Sequence, residues 1–436
     1  MWANLVRTIL GVSFAVIVVG CGTDGQSSDV TFSKQISRLL QDHCQRCHNP
    51  DGIAPFPLMT YDDARPNAAK IVKAVADGTM PEDVSMRLDT GCSDSDTFEG
   101  ARRLTPAEID LIGRWVEAGA PEGDPHDLPP PRDFVDPQGW QLGDPSLVVE
   151  NGTQGFEVPG HLGRDVFRRF PIQTAYDADR FITSFEAHPG IDGGDHLSRV
   201  VHHVTLFIDP TAGSLAQEAA YQANPAIPGP GFEGEFTYPV ALVGMWFPGS
   251  GPLKFAAGHG MRVPKGACLV MEVHYAGDHA APVVDHTQAG VQLADAVDVE
   301  LASSLVKNTS ILIPAGSTDT RIEGIRTLDQ PFTLHAITPH MHQVGTTFQV
   351  ALEVPGQAST CLADVDWNFE HQGTYRLREP RALPAGTTIH TTCLYDNSEN
   401  NPNQINFPPK DIEFGTAADH EMCQLTITTS NDGPQP

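Results

Sequence analysis

Between Pro121 and Pro137 the chain carries six prolines and four aspartates, and the hydrophobic period differs on the two sides of this stretch. Before it the apolar residues follow a helical period. Phe32, Ile36, Leu39 and Leu40 give the i, i+4, i+7, i+8 stripe of an amphipathic helix. Ala68–Ala76 reads as a second helix. Thr105-Pro106-Ala107-Glu108 opens a third, with Thr105 as N-cap, Pro106 in the first turn and Glu108 closing a capping box. Its apolar face is Ile109, Ile112, Trp115 and Val116, and Gly119 stands where it should end. After the proline-rich stretch the period is two, in short runs between turn residues: Ser146–Val149, Val166–Ile172, Phe181–Phe185, Val200–Ile208, Leu269–Tyr275 and Gln288–Leu293. A second such block holds Ser310–Ile313, Phe332–Ile337, Thr346–Leu352, Thr387–Cys393 and Cys423–Thr428. With 40 glycines and 36 prolines, this is the pattern of all-β sandwiches or jelly rolls. The chain of 436 residues has room for about three domains at roughly 150 residues each. The expected architecture is therefore multidomain: a small all-α domain over 30–122, a stiff linker over 123–143, and two all-β jelly-roll sandwich domains over 144–300 and 301–430.

The first residues indicate a location. Arg7 precedes the apolar run Ile9–Val19, which is too short to span as a mature helix and ends in Val18-Val19-Gly20-Cys21. Val-Val-Gly-Cys matches a bacterial lipobox, so residues 1–21 read as a lipoprotein signal peptide, Cys21 as the lipidated residue and 22–29 as a tether. The plainer reading is a secretory signal in which Cys21 is incidental. Either places the protein outside the cytoplasm; the lipobox places it in the cell envelope, lipid-anchored to a membrane on the periplasmic or outer surface. A net charge of −28 without a basic stripe argues against nucleic acid as a partner.

Cys44-Gln45-Arg46-Cys47-His48 follows the first helix. Cys-x-x-Cys-His is the attachment signal for haem c: Cys44 and Cys47 form the thioethers and His48 is the proximal ligand. Gly78-Thr79-Met80-Pro81 resembles the loop that carries the axial methionine in class I cytochromes c, which makes Met80 the sixth ligand, with Met59 and Met86 as competitors. Once Cys21, Cys44 and Cys47 are set aside, Cys92, Cys268, Cys361, Cys393 and Cys423 remain; an odd number leaves at least one free thiol outside the cytoplasm.

The β blocks bring histidines. His340 and His342 stand two apart, so on a strand both rings point to one face while Met341 points to the other. His202 and His203 are adjacent, and on a regular strand they face opposite ways; joint ligation needs a distorted strand or different ring nitrogens. His274 lies in Glu272-Val273-His274-Tyr275, where alternation puts Glu272 on its face.

Together with Glu421-Met422-Cys423, these motifs occur in an order and spacing that resemble the copper type II, ascorbate-dependent monooxygenases, the family of peptidylglycine α-hydroxylating and dopamine β-monooxygenases. The resemblance covers 145–430. It implies two jelly-roll domains with one copper each across an open cleft. His202, His203 and His274 match the copper that stores and passes an electron. His340, His342 and Met422 match the copper where O2 and substrate meet, and so carry the catalytic role. Thioether is a soft ligand that favours Cu(I). Cys423 matches a cysteine whose disulfide partner here is Cys393. The implied activity is O2-dependent hydroxylation of an aliphatic C–H in a small-molecule substrate, with an electron donor that is an ascorbate-like reductant or a redox protein.

The resemblance breaks at the substrate end. The arginine that grips a carboxylate in peptidylglycine α-hydroxylating monooxygenase is Thr338 here, and the asparagine and tyrosine that assist it are Gln424 and Thr426. A C-terminal glycine is therefore a poor substrate. The fused cytochrome c is the other departure; it can stand in for ascorbate as electron donor. The alternative reading is an electron-transfer or copper-binding lipoprotein without hydroxylase activity.

Overall fold

Local capping rules account for the helical part of the chain. The computed structural model describes residues 30–50, 54–81, 85–86, 92, 97–99, 104–132, 139–160, 165–191, 200–224, 229–247, 250–275, 281–369, 372–415 and 419–431; the expected signal peptide, the tether and Cys21 lie outside them. A π-helical turn, Phe32–Ile36, leads into α1 (Ser37–His43). The second helix, α2 (Tyr61–Ala76), starts well before Ala68, at a capping box between Thr60 and Asp63. Pro66, which tempts a reader to begin the helix after it, lies inside and removes one backbone hydrogen bond. The third, α3 (Pro106–Glu117), has Thr105, Pro106 and Glu108 in the expected roles, and Gly119 just past its end takes a φ of +84°. Ile36, Leu40, Ile71, Ile112 and Trp115 form the core of this part. Full burial of each stabilises by roughly 1.5–3 kcal/mol.

The described part of the proline-rich stretch, residues 121–132, is mostly exposed but not free-standing. Gln41 donates to the Pro130 carbonyl at 3.0 Å, and Arg132 pairs with Asp42. Gly123, at φ +87°, lies so close to Thr31 that a side chain there would collide.

Strands hold 41% of the residues and helices 16%, so the sheets decide the architecture. In order they are β1 (Ser85–Met86), β2 (Leu147–Glu150), β3 (Phe156–Val158), β4 (Val166–Gln173), β5 (Arg180–His188) and β6 (Val201–Asp209). After α4 (Gly213–Gln222) come β7 (Ala241–Trp246), β8 (Leu253–Lys254), β9 (His259–Val263), β10 (Cys268–Tyr275), β11 (Val283–Asp285) and β12 (Gln288–Ala294). The chain continues with β13 (Val299–Asn308), β14 (Leu312–Ile313), β15 (Thr320–Thr327), β16 (Phe332–His340), β17 (Gly345–Glu353) and β18 (Thr360–Asp366). It closes with β19 (Tyr375–Leu383), β20 (Thr388–Tyr395), β21 (Ile412–Glu413) and β22 (Cys423–Ser430).

A four-stranded sheet runs β4-β10-β6-β7 and a five-stranded sheet runs β1-β18-β17-β20-β15. A nine-stranded sheet runs β19-β16-β22-β13-β9-β5-β12-β2, with β8 on β5. One end of it packs with the four-stranded sheet around Val149, Phe185, Leu206 and Met271. The other end packs with the five-stranded sheet around Ile337, Phe348 and Leu425. These are two β-sandwiches with separate cores. They meet within β13: Val299–Leu301 pair in parallel with β9, and Leu301–Asn308 pair antiparallel with β22. The boundary expected between residues 300 and 301 thus falls inside a strand, and main-chain hydrogen bonds join the sandwiches.

Residues 85–86, 92 and 97–99 also depart from the expected layout, since they lie with the second sandwich and not with the helices. β1 pairs with β18, Phe98 forms a bridge to Leu377 and enters that core, and Cys92 is bonded to Cys361. Cys393 is bonded to Cys423, as the resemblance implied, and Cys268 is the buried free thiol.

Candidate metal centres

The first site is built where β6 and β10 pair. His203 and His274 are direct cross-strand partners, and the next pair is Val201 with Tyr275. His202 is therefore the extra residue of a β-bulge, which turns it off its alternating position. This is the distortion that two adjacent histidines need to serve one ion. The Nδ1 atoms of His202 and His203 lie 3.2 Å apart, and those of His203 and His274 lie 3.3 Å apart. Nitrogens held at about 2.0 Å by one tetrahedral metal stand about 3.3 Å from each other. One ligand atom from each of the three side chains lies within 4.8 Å of the others. All three histidines are buried. Burial first, and then the neighbouring imidazoles, push the pKa values of His203 and His274 well below the usual histidine range. Neutral imidazoles are the form a metal takes. Asp165 Oδ2 approaches the other nitrogen of His274 to 3.0 Å, near enough for an ion pair but not aligned as a hydrogen bond. Glu272 is engaged elsewhere, by Arg169 at 2.5 Å, so the carboxylate that attends His274 is not the one on its own strand.

The second site forms where β16 ends beside the start of β22. His340 is paired with Gln424, and two residues further along the two chains stand His342 and Met422. The His340 and His342 rings are 5.1 Å apart, and Met341 points into the core as alternation required. His342 Nδ1 donates to the His420 carbonyl at 2.9 Å, and His340 Nδ1 donates to Gln372 Oε1 at 2.7 Å. Gln372 donates its own amide to the Phe369 carbonyl, which fixes its orientation. A metal taken by these two rings would therefore be held through Nε2. Glu421, 1% exposed, clamps the site: its carboxylate accepts from the amides of His342, Val344 and Met422. Burial pushes its pKa up to about 8 against the pull of these amides. The Met422 carbonyl accepts from the Tyr395 hydroxyl at 2.7 Å, and the Cys393–Cys423 bond anchors the next residue. Two nitrogens and a thioether sulfur are a donor set suited to a soft, late transition metal.

The two sites face each other across one ring. Phe369 stacks on His202 at 5.2 Å and 21°, meets His274 at 5.8 Å, and meets His342 edge-on at 6.4 Å. The gap is filled by a side chain 3% exposed, where the resemblance implied an open cleft.

At the haem motif, Cys44 and Cys47 lie in the turn after α1, and neither is in a disulfide. His48 is 8% exposed, and its Nδ1 donates to the Phe56 carbonyl at 2.8 Å. With Nδ1 so engaged, Nε2 is the nitrogen that would take an iron, so the residues fit the group. Met80 closes the turn after α2, its amide donating to the Ala74 carbonyl. Arg46, inside the motif, places its guanidinium where a side chain on Gly251 would stand, so the motif lies against the loop that follows β7 in the first sandwich.

Asp165, Gln372, Trp367 and Phe369 escaped the sequence reading. None has a periodic or spacing signal; each is brought in by a loop. Glu421 was visible only as part of Glu-Met-Cys.

No protein-family model and no curated protein matches the chain. Two solved crystal forms of PNGF-II match at 9% and 10% identity, with TM-scores of 0.28 and 0.29. Each match covers 66% of this chain and 66% of that one, so it spans just under two thirds of the solved chain. The T13 viral particle of IBDV matches at 8% identity and a TM-score of 0.19, over 67% of this chain and 72% of that one. Likenesses at this level carry no argument about fold or activity.

Proposed function

We propose that this chain is an O2-dependent copper monooxygenase that hydroxylates an aliphatic C–H of a small substrate. The observation that carries the reading is the pair of histidine sites facing each other, one with three converging Nδ1 atoms and one with His340 and His342 oriented through Nδ1 on the strand end that lies beside Met422. Bound copper supplies one-electron storage at the first site and O2 chemistry at the second. The chain's part is to keep the imidazoles of His203, His274 and His340 neutral, to hold the Nδ1 protons of His340 and His342 on Gln372 and the His420 carbonyl, and to exclude water with Phe369. Thr338 is hydrogen-bonded to Thr374 at 2.9 Å and stands opposite Thr426. A neutral, hydroxyl-lined wall of this kind suits an uncharged substrate rather than a carboxylate.

On the same proposal the helical part is a small all-α cytochrome c domain, both sandwiches are jelly rolls, and the haem held by Cys44, Cys47, His48 and Met80 is the electron donor. The contact of Arg46 with the first sandwich supports delivery to the side that holds the three histidines. The protein sits in the cell envelope, lipid-anchored through Cys21. Two disulfides fit an oxidising compartment.

Metal analysis of the purified protein should give about two copper and one haem per chain. O2 consumption with substrate should vanish in Met422→Ala while the haem spectrum is unchanged. Copper without any O2 consumption, across a panel of neutral substrates, would favour an electron-transfer or copper-binding lipoprotein instead.

A further inference from the structure

Between them Trp367, Phe369 and Gln372 touch both histidine sites. The Trp367 indole donates to the His342 carbonyl at 2.9 Å. Gln372 orients the His340 ring and donates back to the Phe369 carbonyl at 3.1 Å. Phe369 itself lies flat on His202 and reaches His274. A rotation of the His202 ring therefore cannot leave Phe369 where it is, and a shift of Phe369 moves the carbonyl that Gln372 leans on. Interiors packed at crystal-like density pass on such displacements rather than absorbing them.

We infer that Phe369 is a positioning residue that couples the two histidine sites, so that a metal bound by His202, His203 and His274 tightens binding at His340, His342 and Met422. By linkage the effect is mutual. The inference rests on the reading that both sites take copper. It explains why an aromatic side chain fills a gap that a diffusing substrate would otherwise enter. An open cleft would leave the two sites to load independently.

The test is an anaerobic Cu(I) titration of the full-length haem protein, stripped of copper and set against a chromogenic Cu(I) chelator. His203→Ala and His342→Ala each leave a single intact site and give the two separate affinities. Wild-type protein should bind its two ions about tenfold more tightly, as the product of dissociation constants, than these two variants predict. Phe369→Leu, which keeps apolar volume but no ring to stack, should still bind two ions and lose that tenfold. Phe369→Tyr, which keeps the ring, should retain it; a role in packing alone would not separate leucine from tyrosine in this way. Should Phe369→Leu fail to fold, Gln372→Ala breaks the same link from the other side; measured alone and combined with His203→Ala and with His342→Ala, so that its direct weakening of the second site cancels, it is expected to lose the coupling. Independent binding in the wild type, or coupling that survives in Phe369→Leu or Gln372→Ala, overturns the inference alone. A wild-type protein that binds no copper overturns both the inference and the monooxygenase reading.

Discussion

His203 and His274 face each other as partners on neighbouring strands, whereas His340 and His342 stand where a strand is running out. The first site gets its shape from main-chain pairing: a ladder and one bulge place three rings, and a single outside carboxylate attends one of them. The second gets its shape from side chains that reach the main chain. Glu421, Gln372, Trp367 and the Cys393–Cys423 bond each hold part of it. They present opposite ring nitrogens as well, Nδ1 in one and Nε2 in the other. A site set in a sheet is stiff, which suits a centre whose geometry should change little when its charge does. A site clamped by individual contacts can be adjusted residue by residue, which suits the place where a substrate must fit.

This contrast can be broken experimentally. The largest expected effect comes from Glu421→Ala, which leaves three buried amides without an acceptor. It should lower stability by on the order of 3–5 kcal/mol in a denaturant titration. Asp165→Ala, the nearest counterpart at the first site, should cost under about 0.5 kcal/mol because that carboxylate is partly exposed. Removing the Cys393–Cys423 bond with paired serines should cost about 3 kcal/mol. Copper at the second site should weaken while the first site keeps its ion, as read by metal analysis after dialysis. Equal loss at both sites would mean that the second is no more dependent on its clamps than the first. Gln372→Ala should weaken second-site copper by about 10-fold to 100-fold, and Asp165→Ala should do the same at the first site only. The smallest effect should come from Thr338→Val, which keeps the shape and removes a hydroxyl. It should change KM for a neutral substrate by a few-fold, about 1 kcal/mol or less, and leave copper content alone.

Parts of this were legible from residue order. The capping box at Thr105, the stripe from Phe32 to Leu40 and the shared face of His340 and His342 follow from periods of 3.6 and two, which act over a few residues. The start of α2 was not: the helix begins at the Thr60 capping box and runs through Pro66, a residue that ordinarily breaks helices. Nor were strands such as β19, where charged residues on an exposed face hide the alternation.

What the sequence determined by itself is therefore local: which segments are helix or strand, which cysteines and histidines are spaced for a metal or a haem, and that five cysteines cannot all pair. Tertiary structure decided the rest. It put the bulge at His202, brought Asp165 to His274 and Gln372 to His340, tied Ser85–Met86, Cys92 and Phe98 to the second sandwich, and set Phe369 between the sites. The physical reason is range. A period or a cap is fixed by neighbours along the chain, while a bulge, a cross-domain strand or a shared ring is fixed by partners tens to hundreds of residues away, chosen by packing and by the need of every buried polar group for a partner.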